Sequence, residues 1–68
     1  MEAEIREGTI KFTESCELIE IHDEKGNYID EWEETDEIDI SLLPLGVYIV
    51  SVISYFAEKK DFKVILEA

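Results

Sequence analysis

Residues 38–52 read IDISLLPLGVYIVSV, and the fold turns on whether this run and its continuation to Phe56 form a membrane helix or a strand. From Leu42 to Phe56 no residue is charged, although the flanks are crowded with carboxylates. A spanning helix needs about 20 apolar residues, and this run is shorter, with Pro44 and Gly46 near its start. Its second part, VYIVSVIS (47–54), is β-branched or aromatic at nearly every position, the composition of a strand. Apolar residues on both faces predict a central strand covered on two sides. Upstream, Ile38 and Ile40 alternate with Glu37, Asp39 and Ser41 as a short strand of period two. Pro44 cannot donate to a ladder and Gly46 permits a tight bend, so a turn joins the two strands.

The same period runs outward in both directions. Ile10 and Phe12 share one face of a first strand, and Ile19 and Ile21 one face of a second. A turn is predicted at DEKGN (23–27), where Gly26 and Asn27 supply positive φ at little cost. Tyr28–Glu33 returns as the far strand of that hairpin, with Ile29 and Glu31 on one side and Tyr28, Asp30 and Trp32 on the other. EETDE (33–37) breaks the alternation and reads as a solvated loop. Residues 55–59 read as a turn, and 60–66 close the chain with Phe62, Val64 and Leu66 on one face. Six to seven short strands without a helical period predict one domain over residues 1–68, a small antiparallel β-sandwich of immunoglobulin-like type.

Charge narrows the partners. Fifteen Asp/Glu meet three Lys/Arg in residues 1–42, so this part holds the whole net charge of −12, while residues 43–68 balance at three each. Such a field repels nucleic acid and anionic lipid and attracts basic proteins. Direct nucleic-acid binding is therefore not expected. A single cysteine, Cys16, rules out an internal disulfide, and the N-terminus MEAEIREGTIKF carries no signal-peptide pattern.

The order of these features resembles the C-terminal sorting domains of the type IX (Por) secretion system, carried by cargo proteins of the Bacteroidetes. IEIHDEKGNYI (19–29) is similar to that family's strand, glycine and apolar element, with Gly26 as the glycine. IDISLLPLGVYIVSV matches its long motif through Ile38, Asp39, Ile40, Leu43, Pro44, Gly46 and Tyr48, and KKDFKVIL (59–66) is similar to its closing strand. The resemblance implies a seven-stranded sandwich recognised as a folded unit by secretion machinery. Within the motif, Leu43 is expected to plug the core, Pro44 and Gly46 to make the turn, and Tyr48 to enter the next strand.

Few groups suggest chemistry. Cys16 and His22 could face one side of a strand, but six extended residues separate them by roughly 20 Å, far beyond the contact of about 3 Å that a nucleophile and its base need. Asp36, Glu37 and Asp39, like Asp23, Glu24 and Asn27, lack the D-x-D-x-D-G pattern of a calcium loop. One cysteine and one histidine make zinc less suitable still. No Gly-rich phosphate loop occurs, so no cofactor is expected and the chain is read as non-enzymatic.

Two roles remain. One is the sorting module, placing the chain at the cell surface or outside the cell as the end of an exported cargo. The other is a free-standing, cytoplasmic acidic inhibitor, phage-encoded in one version, whose carboxylates imitate nucleic-acid phosphate and block a basic nucleic-acid-binding protein. Tyr55 and Phe56 at a hairpin tip, with Glu33, Glu34, Glu37 and Asp39, form the candidate partner surface. Trp32 is read as core. Small size and a doubly apolar strand also allow self-association as a homodimer.

Overall fold

The computed structural model describes residues 2–56 and 58–67. They form five strands and no helix: β1 (Ala3–Arg6), β2 (Thr9–Asp23), β3 (Tyr28–Asp39), β4 (Gly46–Ser54) and β5 (Lys59–Leu66). The chain is thus all-β, as its alternation predicts, and its single antiparallel sheet is curled in the manner of a small sandwich. The strand count is lower than the predicted six to seven because neighbouring strands merge. Residues 9–12 and 19–22 belong to one long β2, and EETDE is not a loop but the middle of β3. The structure adds one strand to those the alternation predicts, β1, which pairs with β2 from Ala3↔Phe12 to Arg6↔Thr9.

β2 is the spine. β3 follows one of its edges throughout, while the other edge holds β1 against residues 9–12 and β4 against residues 16–23. Between these halves the β2–β3 register slips, from Lys11↔Glu37 to Cys16↔Thr35. The slip bends both strands and folds the β1 end of the sheet over the β4–β5 end. The enclosed core contains Ile10, Phe12, Cys16, Ile19, Ile21, Ile38, Ile40, Tyr48, Val50, Val52 and Val64. Ala3, Ile29, Trp32, Leu43, Phe62 and Leu66 pack against it, half-buried.

A bulge decides which β2 residues face inward. Cys16 pairs with Ser54 and Leu18 with Ile53, so β2 spends one extra residue, Glu17, where β4 spends none. A bulge of this kind reverses the alternation. Before it the buried positions are even (Ile10, Phe12, Cys16); after it they are odd (Ile19, Ile21). Opposite the bulge on β3, Glu34 adopts a left-handed φ of 49°.

β4 is the central strand of its half, paired on both edges with β2 and β5. It is not covered on two sides, however. Tyr48, Val50, Val52 and Ser54 point into the core, whereas Val47, Ile49, Ser51 and Ile53 lie half-exposed on the outer face. A 68-residue chain has too little mass to place a second layer there.

Candidate functional site

The long motif builds a clasp at one end of the sandwich. Ile38 and Ile40 are buried, and the Ile40 N–H donates to the Gly8 carbonyl (2.8 Å), fastening the end of β3 to the β1–β2 turn. Asp39 Oδ1 accepts the Ser41 N–H (2.9 Å). Hydrogen bonds from the Ser41 side chain and backbone hold the Asp39 carboxyl below its ordinary range. The Leu43 N–H closes a turn onto the Ile40 carbonyl (3.2 Å), and the Leu43 side chain rests half-buried on the core. After Pro44 and Gly46, the Tyr48 hydroxyl reaches back to the Pro44 carbonyl.

The hairpin containing Gly26 is built by one carboxylate. Asp23 Oδ1 accepts the N–H groups of Lys25 and Asn27, both at 2.9 Å, and Oδ2 accepts the Asn27 side-chain amide at 3.0 Å. The Asn27 side chain is the main cause of the lowered pKa of Asp23. Gly26, at φ 88°, completes the turn.

The candidate partner surface divides in two. Glu33 and Glu34 border a shallow depression with Glu17 and Leu18 beside the bulge. Tyr55 is close to the same group: partial burial first, then the charges of Glu34 and Glu17, push its hydroxyl pKa up. Tyr55 and Phe56 are exposed, by 52% and 84%, in a turn anchored by Ser54, whose Oγ accepts the Phe56 and Glu58 N–H groups. Glu37 and Asp39 lie past the bend, where Glu37 faces Lys11 across the ladder and shares a groove with Arg6. Every charged residue of β3 is nevertheless an acid: Asp30, Glu31, Glu33, Glu34, Asp36, Glu37 and Asp39.

Cys16 and His22 point to opposite faces, because the Glu17 bulge lies between them. Sequence spacing alone, which does not register the extra residue, puts both on one side. Cys16 is fully buried, and its thiol donates to the Glu14 carbonyl (3.4 Å). Burial, followed by the charges of Glu14 and Asp36, raises its pKa. His22 lies on the outer face, 3.7 Å from Glu20 and edge-on to Tyr28. Trp32 packs half-buried against the core opposite Ile19. Among the described residues no three His, Cys, Asp or Glu side chains gather as a metal site, and no helix is long and apolar enough to cross a membrane.

In comparison with known protein families, residues 6–67 match the family model of the secretion system C-terminal sorting domain. No curated protein and no solved structure matches.

Proposed function

The chain belongs to the secretion system C-terminal sorting domain family, a sorting-signal module of type IX secretion, and on that premise we propose that a secretion partner reads it as a folded, non-catalytic tag. The observation that carries this reading is where the motif residues go. Ile38, Ile40 and Tyr48 are buried, Asp39 is bound to Ser41, and Pro44 accepts from Tyr48. A partner cannot grip those groups as a linear peptide without opening the domain; what it meets is the surface they hold in shape. Behind a cargo domain, the module directs that cargo to the cell surface or the medium. A fusion of residues 1–68 to a periplasmic reporter, expressed in a host with this secretion system, should therefore export the reporter. Val50→Asp, which unfolds the core, should abolish export. A reporter retained with the native tag overturns the reading.

The acidic composition of β3 favours a second reading, a decoy for a basic nucleic-acid-binding protein. Its mark would be inhibition of a basic nuclease that fades as salt screens the contact. A nuclease unaffected at low salt removes this reading.

A further inference from the structure

We propose that the open edge of β1 accepts one further strand: an extended segment of a partner protein in which an acidic, an apolar, a basic and a second apolar residue follow one another. This goes beyond the sorting role, and its test involves no secretion.

β1 pairs with β2 alone, so its other edge is open. The register says which backbone groups stand there. Arg6 and Thr9 close a two-residue hairpin turn, the position of a pair that exchanges both its hydrogen bonds. Further along, the Thr13 N–H donates to the Glu2 carbonyl (3.0 Å). The even residues of β1 therefore bond to β2, and the N–H and C=O groups of Ala3 and Ile5 point to the open edge. The side chains of these two residues face inward, because Ala3 lies across from Phe12 and Ile5 from Ile10, both buried in the core. Ile5 is nevertheless 52% exposed. The reason is an apolar opening of about 150 Å³ between Ala3 and Ile5 of β1 and Phe62 and Val64 of β5, lined also by Phe12 and Val50.

These features select the occupant. Unpaired donors and acceptors beside an apolar opening suit an extended backbone whose inward side chains are apolar; the backbone supplies affinity and the side chains specificity. A residue directly opposite Ile5 shares its face and enters the opening, which has room for one ring or branched aliphatic chain. A second apolar residue fits opposite Ala3, whose small side chain leaves space. On the outer face the flanking positions meet Arg6 and Glu4, which pair with each other along β1. An added antiparallel strand gives each an opposite charge directly across the ladder instead. Its order is then an acid opposite Arg6, an apolar residue opposite Ile5, a base opposite Glu4 and an apolar residue opposite Ala3.

A second copy of this chain does not meet those terms. Its β1 offers Glu4, Ile5 and Arg6 in the right order, but then Glu7, charged and at a left-handed φ of 49°, where the second apolar residue belongs. Its β5 offers Asp61, Phe62, Lys63 and Val64, but Phe62 and Val64 pack on their own core. Their backbone groups are also committed to β4, since the Ser54 N–H donates to the Glu58 carbonyl and the pairing runs on without a slip from Ile53↔Lys59.

The probe is a capped hexapeptide, Thr-Glu-Ile-Lys-Val-Thr, titrated into the isotope-labelled chain and followed by amide chemical shifts. It should bind with a dissociation constant on the order of 0.1–1 mM and shift the amides of Ala3, Ile5, Phe62 and Val64 most. Methylating the peptide's isoleucine nitrogen, which meets Ile5 across the new ladder, should weaken binding ~10-fold or more. Methylating its lysine nitrogen, which points away, should weaken it less than ~3-fold. Arg6→Glu changes only an exposed side chain and should weaken binding ~3-fold or more; Ile5→Gln should weaken it ~5-fold or more. No binding at about 5 mM peptide overturns the proposal. So do equal effects of the two methyl groups, which would mean apolar adhesion without strand pairing. Shifts confined to β3 overturn it as well, since they would mean attraction to the acids of that strand.

Discussion

The Tyr48 hydroxyl donates a 2.5 Å hydrogen bond to the carbonyl oxygen of Pro44, tying the first inward residue of β4 to the turn that feeds it. The ring of Tyr48 is buried in the core, so this bond joins the loop to the packed interior. Tyr48→Phe keeps the ring and removes the donor. The loss should be about 1 kcal/mol, seen as a fall in Tm of about 4–8 °C for a domain of this size. Circular dichroism melts of the two proteins measure it. An unchanged Tm would mean that the clasp does not depend on this bond.

Acid should loosen both carboxylate-built turns. The pKa values of Asp23 and Asp39 are lowered in the fold by the hydrogen bonds from Asn27 and Ser41, against 3.8 ordinarily. A group depressed in this way contributes its full stabilisation above the unfolded value and loses it as pH falls through the folded one. Urea midpoints should therefore hold steady, as far as these two groups act, down to about pH 5 and decline below about pH 4. Asp23→Ala should start lower at neutral pH and decline less steeply in acid, and parallel curves would remove Asp23 as a cause.

The alternation of Ile10 with Phe12, Ile19 with Ile21 and Ile38 with Ile40 was legible because a strand with one buried face writes its period into the sequence. Leu43, Pro44, Gly46 and Tyr48 were legible as a turn for the same local reason. The bulge at Glu17 was not, since it arises from the register of β2 against β4, a relation between residues about thirty-five positions apart. Spacing alone therefore puts Cys16 and His22 on one side of a strand. In EETDE, charge on both faces conceals a strand and reads as a loop, yet an edge strand with one edge in solvent tolerates such charge. The strand Ala3–Arg6 leaves no clear mark in the sequence, because its turn is Glu7-Gly8 rather than the Asn-Gly or Asp-Gly that marks a hairpin. The division of Glu33 and Glu34 from Glu37 and Asp39 follows from the bend, which no local pattern records.

Cys16 should behave as an inert thiol in the native protein. Burial and the nearby charges of Glu14 and Asp36 disfavour the thiolate, the reactive form. A thiol-reactive chromogenic disulfide should label it only as fast as the domain opens, and at once in denaturing urea. Immediate labelling without denaturant would contradict the buried position.

The β1–β2 turn offers two substitutions of opposite sign. Glu7 and Gly8 both have positive φ, 49° and 78°, between the paired residues Arg6 and Thr9, the geometry of a two-residue hairpin turn. Glutamate is a poor occupant of the first position, and asparagine tolerates that conformation better. Glu7→Asn should stabilise the domain by about 0.5–1 kcal/mol. Gly8→Ala should do the reverse by more than about 1 kcal/mol, because a methyl group there would stand 2.9 Å from Ser41 Cβ, in the loop that the Gly8 carbonyl fastens. Removing that obstacle with Ser41→Gly in the Gly8→Ala background should recover the steric share and leave the cost of φ. Equilibrium urea unfolding of the four members of this cycle separates the two terms. If Ser41→Gly recovers nothing, backbone conformation alone explains why glycine is required at position 8.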